Sequence, residues 1–81
     1  MARRMALRKL LGYLEKCELI SDEELMEIED RLSRGEDVLE MGIRVLGYDE
    51  KKEDYVVEVE DLEGLLSENG YNPDYVRYQE E

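Results

Sequence analysis

The chain has no histidine, tryptophan or phenylalanine, and it has one cysteine and one proline in 81 residues. Each absence closes off some chemistry. Without histidine, the commonest general base and the commonest metal ligand are both missing. A lone thiol, Cys17, can neither close a disulfide within the chain nor build the tetrahedral N/S shell that zinc takes. Nucleophilic catalysis would need Cys17 or a serine beside a base. Ser21 and Ser33 stand where caps and turns want serine, and Cys17 follows a leucine stripe, the setting of a buried structural thiol. Gly42 and Gly47 are isolated rather than part of a phosphate-cradling loop. Residues 49–54 lack the alternating ligands and central glycine of an EF-hand. Carboxylate pairs abound, and none stands out as an acid–base couple. The sequence therefore reads as non-enzymatic, with no metal and no cofactor.

Long apolar runs are also missing. The longest is three residues, against roughly 20 for a membrane span. The start, Met1-Ala2-Arg3-Arg4, is basic but leads into no signal-peptide core. With one free cysteine, which suits a reducing compartment, these features predict a cytoplasmic protein with no membrane association. The length allows one domain, which at this size buries only about 60% of its unfolded surface. Tight packing or self-association must make up the difference.

What the chain has in excess is acid. Twenty-three Asp and Glu stand against 11 Lys and Arg, a net charge of −12. The distribution is lopsided. Residues 1–16 carry Arg3, Arg4, Arg8, Lys9 and Lys16 against Glu15, a net of +4, and the rest of the chain carries −16. The expectation is a basic first helix on an acidic body.

Hydrophobic spacing gives an α+β order, α-α-β-β-α. Leu7, Leu10, Leu11 and Leu14 fall at i, i+3, i+4, i+7 and predict a helix over about 2–17. Ser21-Asp22-Glu23-Glu24 is a capping box. The helix it opens buries Leu25, Ile28 and Leu32, pairs Glu27 with Arg31 and Asp30 with Arg34, and stops at Gly35. Residues 1–35 thus form an antiparallel helical hairpin. Residues 36–60 read as a β-hairpin, with strands over roughly 42–48 and 54–60. Leu39, Met41, Ile43 and Val45 alternate with polar residues on the first arm, and Tyr55, Val57 and Val59 point inward on the second. Residues 36–46 fit a helix as well, through Val38, Met41 and Val45. In residues 61–81, Asp61 caps a last helix with Leu62, Leu65 and Leu66 inward. That helix ends at Asn69-Gly70, and Asn72-Pro73-Asp74 starts a further turn. Tyr71, Tyr75 and Tyr78 form an aromatic edge at i, i+4, i+7.

Two functional readings follow. In the first, exposed acids replace phosphates against a basic protein surface. The expected contacts are Glu23, Glu27 and Asp30 on the second helix, Asp49, Glu50, Glu53 and Asp54 in the hairpin loop, and Glu58 and Glu60 on the second strand. A compact chain of this length is about 30 Å across, and duplex DNA of that length carries about 18 phosphates, comparable to the 22 acids of residues 17–81. In size and charge the chain resembles small acidic inhibitors made by phages, some anti-CRISPR proteins among them. That resemblance implies an inhibitor that mimics nucleic-acid charge to block a DNA- or RNA-handling protein. In the second reading the helical hairpin, similar over residues 7–35 to short bacterial oligomerisation modules, is a structural or adaptor unit. It would self-associate, as a homodimer for instance, through Leu7, Leu11, Leu14, Tyr71, Tyr75 and Tyr78. Direct nucleic-acid binding through the basic first helix is disfavoured, because the acidic remainder repels the same polyanion.

Overall fold

In a computed structural model, residues 2–71 are described. The elements are β1 (Arg3–Ala6), α1 (Leu7–Glu15), α2 (Asp22–Ser33), a 3₁₀ turn (Leu39–Met41), β2 (Ile43–Asp49), β3 (Asp54–Val59) and α3 (Leu62–Glu68). The expected order α-α-β-β-α is present, preceded by one short strand. The three strands form an antiparallel sheet in the order β1-β3-β2. The helices cover one face of it. At 18 Å along its shortest axis, the molecule is a helical layer on a sheet with one core between them.

That core takes Met5 from β1, Leu7, Leu10, Tyr13 and Leu14 from α1, Ile28 and Leu32 from α2, Ile43, Val57 and Val59 from the sheet, and Leu62, Leu65 and Leu66 from α3. Val38, Cys17 and Tyr71 complete it, and apart from tyrosine hydroxyls it holds no polar side chain. Each fully buried aliphatic side chain contributes about 1.5–3 kcal/mol. Leu25 is only partly buried at its margin.

The predicted first helix is corrected at its start. Residues 3–6 are a strand, with Arg4 opposite Glu58 and Met5 opposite Val57, and the helix begins at Leu7. The leucine stripe also begins there, so nothing apolar held residues 2–6 in helical register. Ala6, the N-cap, has no side chain with which to cap. Instead Asp54, from the start of β3, accepts the Arg8 amide at 2.9 Å and its own neighbour Tyr55 N–H at 2.8 Å. One carboxylate thereby joins the central strand to the N-terminus of α1, where a negative charge is favoured.

The other helix ends follow the sequence. Ser21 Oγ accepts the Glu24 amide at 3.2 Å, and Asp61 Oδ1 accepts the Gly64 amide at 3.1 Å. At the end of α2, Gly35 takes φ +81°. Glu36 N–H reaches Arg31 O and Gly35 N–H reaches Leu32 O, the paired bonds of a Schellman motif. Of the two expected helix pairs, Asp30–Arg34 is present at 2.9 Å. Arg31 turns away from Glu27 to Glu40 at 2.7 Å and to the Asp37 carbonyl at 3.0 Å, tying α2 to the segment that follows.

That segment corrects the predicted alternation. Val38 is buried and Leu39 is 68% exposed, because the 3₁₀ turn and left-handed Gly42 (φ +70°) reset the chain before β2 begins. Val38 and Ile43 exchange backbone hydrogen bonds, and Asp37 accepts the Val45 amide at 2.7 Å. Residues 37–38 thus block part of the free edge of β2. A bulge at Leu46 separates the Val45–Val57 and Gly47–Val56 pairs. Past it, Tyr48 and Tyr55 meet edge-to-face across the strands, with centroids 5.3 Å apart. The hairpin closes through residues 50–53, with Glu53 left-handed at φ 53°.

Two stability outcomes are expected in urea titrations. Asp54→Ala lowers the unfolding free energy by about 1–2 kcal/mol through loss of the α1 cap. Glu53→Gly raises it by about 1 kcal/mol, because glycine holds a left-handed conformation without the Cβ clash.

Candidate functional site

Side chains on α2, the 3₁₀ turn and α3 enclose an open groove of about 840 Å³. Its walls repeat one spacing. From α2 come Glu24, Glu27, Ile28 and Arg31; from the α3 side come Asp61, Gly64, Leu65 and Glu68. Both sets fall at i, i+3, i+4, i+7, a single helical stripe. On each wall an apolar residue of the core's margin, Ile28 or Leu65, lies between charged positions. The turn adds exposed Leu39 and Glu40 to the rim and half-buried Met41 to the floor, and Glu60, just past β3, lines the groove as well.

Six acids and one base line this groove. The base, Arg31, is held by Glu40, and Asp61 is occupied as the cap of α3. Glu24, Glu27, Glu60 and Glu68 are exposed and form no ion pair within residues 2–71. Gly64 keeps its wall low, because the Asp61 carboxylate lies where a Cβ would project. Among the described residues, no three Cys, Asp or Glu side chains are placed to hold a metal ion. The arrangement offers separated negative charges around an apolar strip.

The nine acids expected to face a partner divide by what they do in the fold. Glu23, Glu27, Glu50, Glu53 and Glu60 are exposed. Asp30 is exposed but paired with Arg34. Asp49 accepts the Lys51 and Lys52 amides and shapes the hairpin turn. Asp54 caps α1. Glu58 lies on the uncovered face of the central strand, bonded to Arg4 at 3.2 Å, with Arg44 opposite it on the other side. Only Glu27 and Glu60 of the nine share the groove. Glu24, Glu40, Asp61 and Glu68 were not anticipated there. Glu24 and Asp61 carried capping signals instead, and the signal for the groove was the matched spacing of the two helices.

The expected self-association surface is largely spent inside the protein. Leu7, Leu14 and Tyr71 are core residues, and Leu11 packs against the core. Tyr75 and Tyr78 lie outside the described residues, as does the turn expected at residues 72–74. Among the described residues, the large apolar side chains that remain exposed, Leu19, Met26, Leu39, Leu46 and Tyr48, are dispersed over α2, two connections and β2. The basic residues do not form one helical patch either, since Arg3 and Arg4 belong to β1. No helix within the described residues is long and apolar enough to cross a membrane.

Burial shifts two titratable groups of the core, Cys17 and Tyr13. Cys17 is buried, its Sγ 3.6 Å from Tyr13 O, and burial pushes its thiol upward. The Tyr13 hydroxyl is buried without a hydrogen-bond partner among the described residues, and its ring meets Tyr71 edge-on at 6.3 Å. Burial raises its pKa, Arg3 lowers it less, and Tyr71 adds a smaller upward push. A folded pKa above the unfolded value means that the unfolded chain ionises first. The stability gained by keeping this tyrosine neutral is complete below about pH 10 and is lost as pH rises further. Tyr13→Phe is expected to be neutral or stabilising by up to about 1 kcal/mol near neutral pH, since an unpaired buried hydroxyl is removed. It should also weaken the alkaline loss of stability; a loss of 2 kcal/mol or more near neutral pH (about the cost of an unpaired buried group) would reveal a partner for the hydroxyl. No family model matches the sequence, and no curated protein or solved structure matches it.

Proposed function

We propose that this protein is a small, non-enzymatic, acidic binding protein whose helical layer engages a basic surface of another protein. In its sharper form it is an inhibitor that presents carboxylates in place of nucleic-acid phosphates and so blocks a DNA- or RNA-handling protein. The observation that carries this reading is the set of exposed glutamates with no base of their own among the described residues. Glu23, Glu24 and Glu27 on α2, and Glu60 and Glu68 beyond it, stand on the helix-covered side of the sheet. The Arg4–Glu58 pair, with Arg44 opposite, occupies the other side. Charge of one sign gathered on one face steers a cationic partner to that face and raises its association rate. The self-association reading draws little support, because Leu7, Leu14 and Tyr71 already fill the core.

The test is capture of partners from a lysate on the immobilised protein, followed by titration of each purified candidate. The expected partner is a basic DNA- or RNA-binding protein that duplex DNA displaces. Its affinity should fall at least about tenfold between ~50 and ~200 mM salt. Glu23→Lys with Glu27→Lys should weaken it at both. A partner bound equally at both salt concentrations and indifferent to DNA excludes charge mimicry.

A further inference from the structure

Charge mimicry alone does not account for the groove between α2 and α3. A phosphate mimic needs only carboxylates at the surface. Here Leu39 is 68% exposed at the rim, Met41 is half-buried, and the outer edges of Ile28 and Leu65 form a strip between the acids. Both walls are negative, so they repel each other across the opening, and a cationic occupant relieves that repulsion. Arg31, the base in the lining, is already neutralised by Glu40. An anionic or neutral ligand therefore finds no counter-charge here. A ligand carrying positive charge alone leaves the apolar strip in water.

From this combination we infer that the groove receives a basic segment of a partner protein in which an apolar anchor side chain lies between lysines or arginines. The anchor sits on Leu39, Met41 and Leu65, and the flanking cations face Glu24 and Glu27 on one wall and Glu60 and Glu68 on the other. This rests on the proposed function and names the part of the partner that the protein recognises. Such a site adds an apolar component to an electrostatic one. The first persists at salt concentrations that screen the second.

The test uses fluorescence anisotropy with the full chain and labelled synthetic peptides. One peptide has leucines spaced between lysines, a second has those leucines replaced by serine, and spermine serves as a purely cationic competitor. The leucine peptide is expected to bind at least about tenfold more tightly than the serine peptide, the effect of burying one aliphatic side chain, and to outcompete spermine. Leu39→Ser, at an exposed position, should remove most of that preference without unfolding the protein. Glu27→Lys with Glu68→Lys should weaken both peptides, whereas Glu50→Lys in the hairpin loop should change neither. Equal binding of the two peptides, or a leucine preference untouched by Leu39→Ser, overturns the inference. Salt-dependent binding that ignores the leucines would leave the charge-mimic reading standing without the groove. Failure of both basic peptides to bind at low salt would remove both.

Discussion

The carboxylate of Asp54 holds together parts of the chain that share no local signal. It begins the central strand, caps a helix 46 positions earlier and bonds the next amide along. Three other aspartates work in the same way. Asp37 takes the Val45 amide at the edge of β2, Asp49 takes two amides of the hairpin loop, and Asp61 takes the Gly64 amide at the start of α3. For Asp49 and Asp61 the cause is side-chain length: with one methylene, an aspartate oxygen stays within reach of backbone donors two or three residues away, as in Asx turns and N-caps. Asp37 and Asp54 reach donors that the fold brings beside them from farther along the chain. These backbone donors would otherwise be left to water at turns and ends.

The glutamates divide differently. Glu36, Glu40 and Glu58 meet arginine side chains rather than backbone amides. Their extra methylene carries the charge away from the local backbone and toward solvent. A chain with this many acids therefore contains two populations, short acids that build turns and caps and long acids that charge the surface. Core formation accentuates the separation. Because the apolar residues gather on one face of a three-stranded sheet, the helices that cover that face must carry the acids on their outer flanks. α2 and α3 each bury leucine or isoleucine inward, with α1 packed against α2 and β3. The groove lies between two amphipathic helices that share one core.

Elements whose signals lie within a few residues were legible in the sequence. Ser21 and Gly35 bound α2, Asp61 and Gly70 bound α3, and the valines of β3 alternate. What was hidden depends on distant parts of the chain. β1 exists because β3 offers it a free edge 50 to 56 positions away. Read locally, Arg3-Arg4-Met5-Ala6 carries no strand pattern longer than the single inward Met5. There was nonetheless a negative sign at that point: no Ser, Thr, Asp or Asn precedes the leucine stripe, so the helix lacked a local N-cap, and its cap had to come from elsewhere.

The same distinction explains the acids. A reading by exposure alone treats all carboxylates on a strand or loop as available, and so grouped Asp49, Asp54 and Glu58 with Glu23 and Glu27. Asp49 lies in a tight turn and Asp54 at its closing pair, both next to donors that need satisfying; Glu58 lies on the middle strand between two arginine-bearing neighbours. Each has an intramolecular claim on its charge before any partner arrives. Four of the groove acids, Glu24, Glu27, Glu60 and Glu68, have weaker claims. Glu27 loses Arg31 to Glu40, and Glu24 gives only its amide to the cap. Charge that the fold leaves unused in this way costs self-repulsion, and its concentration around an apolar strip gives a physical basis for recognition there.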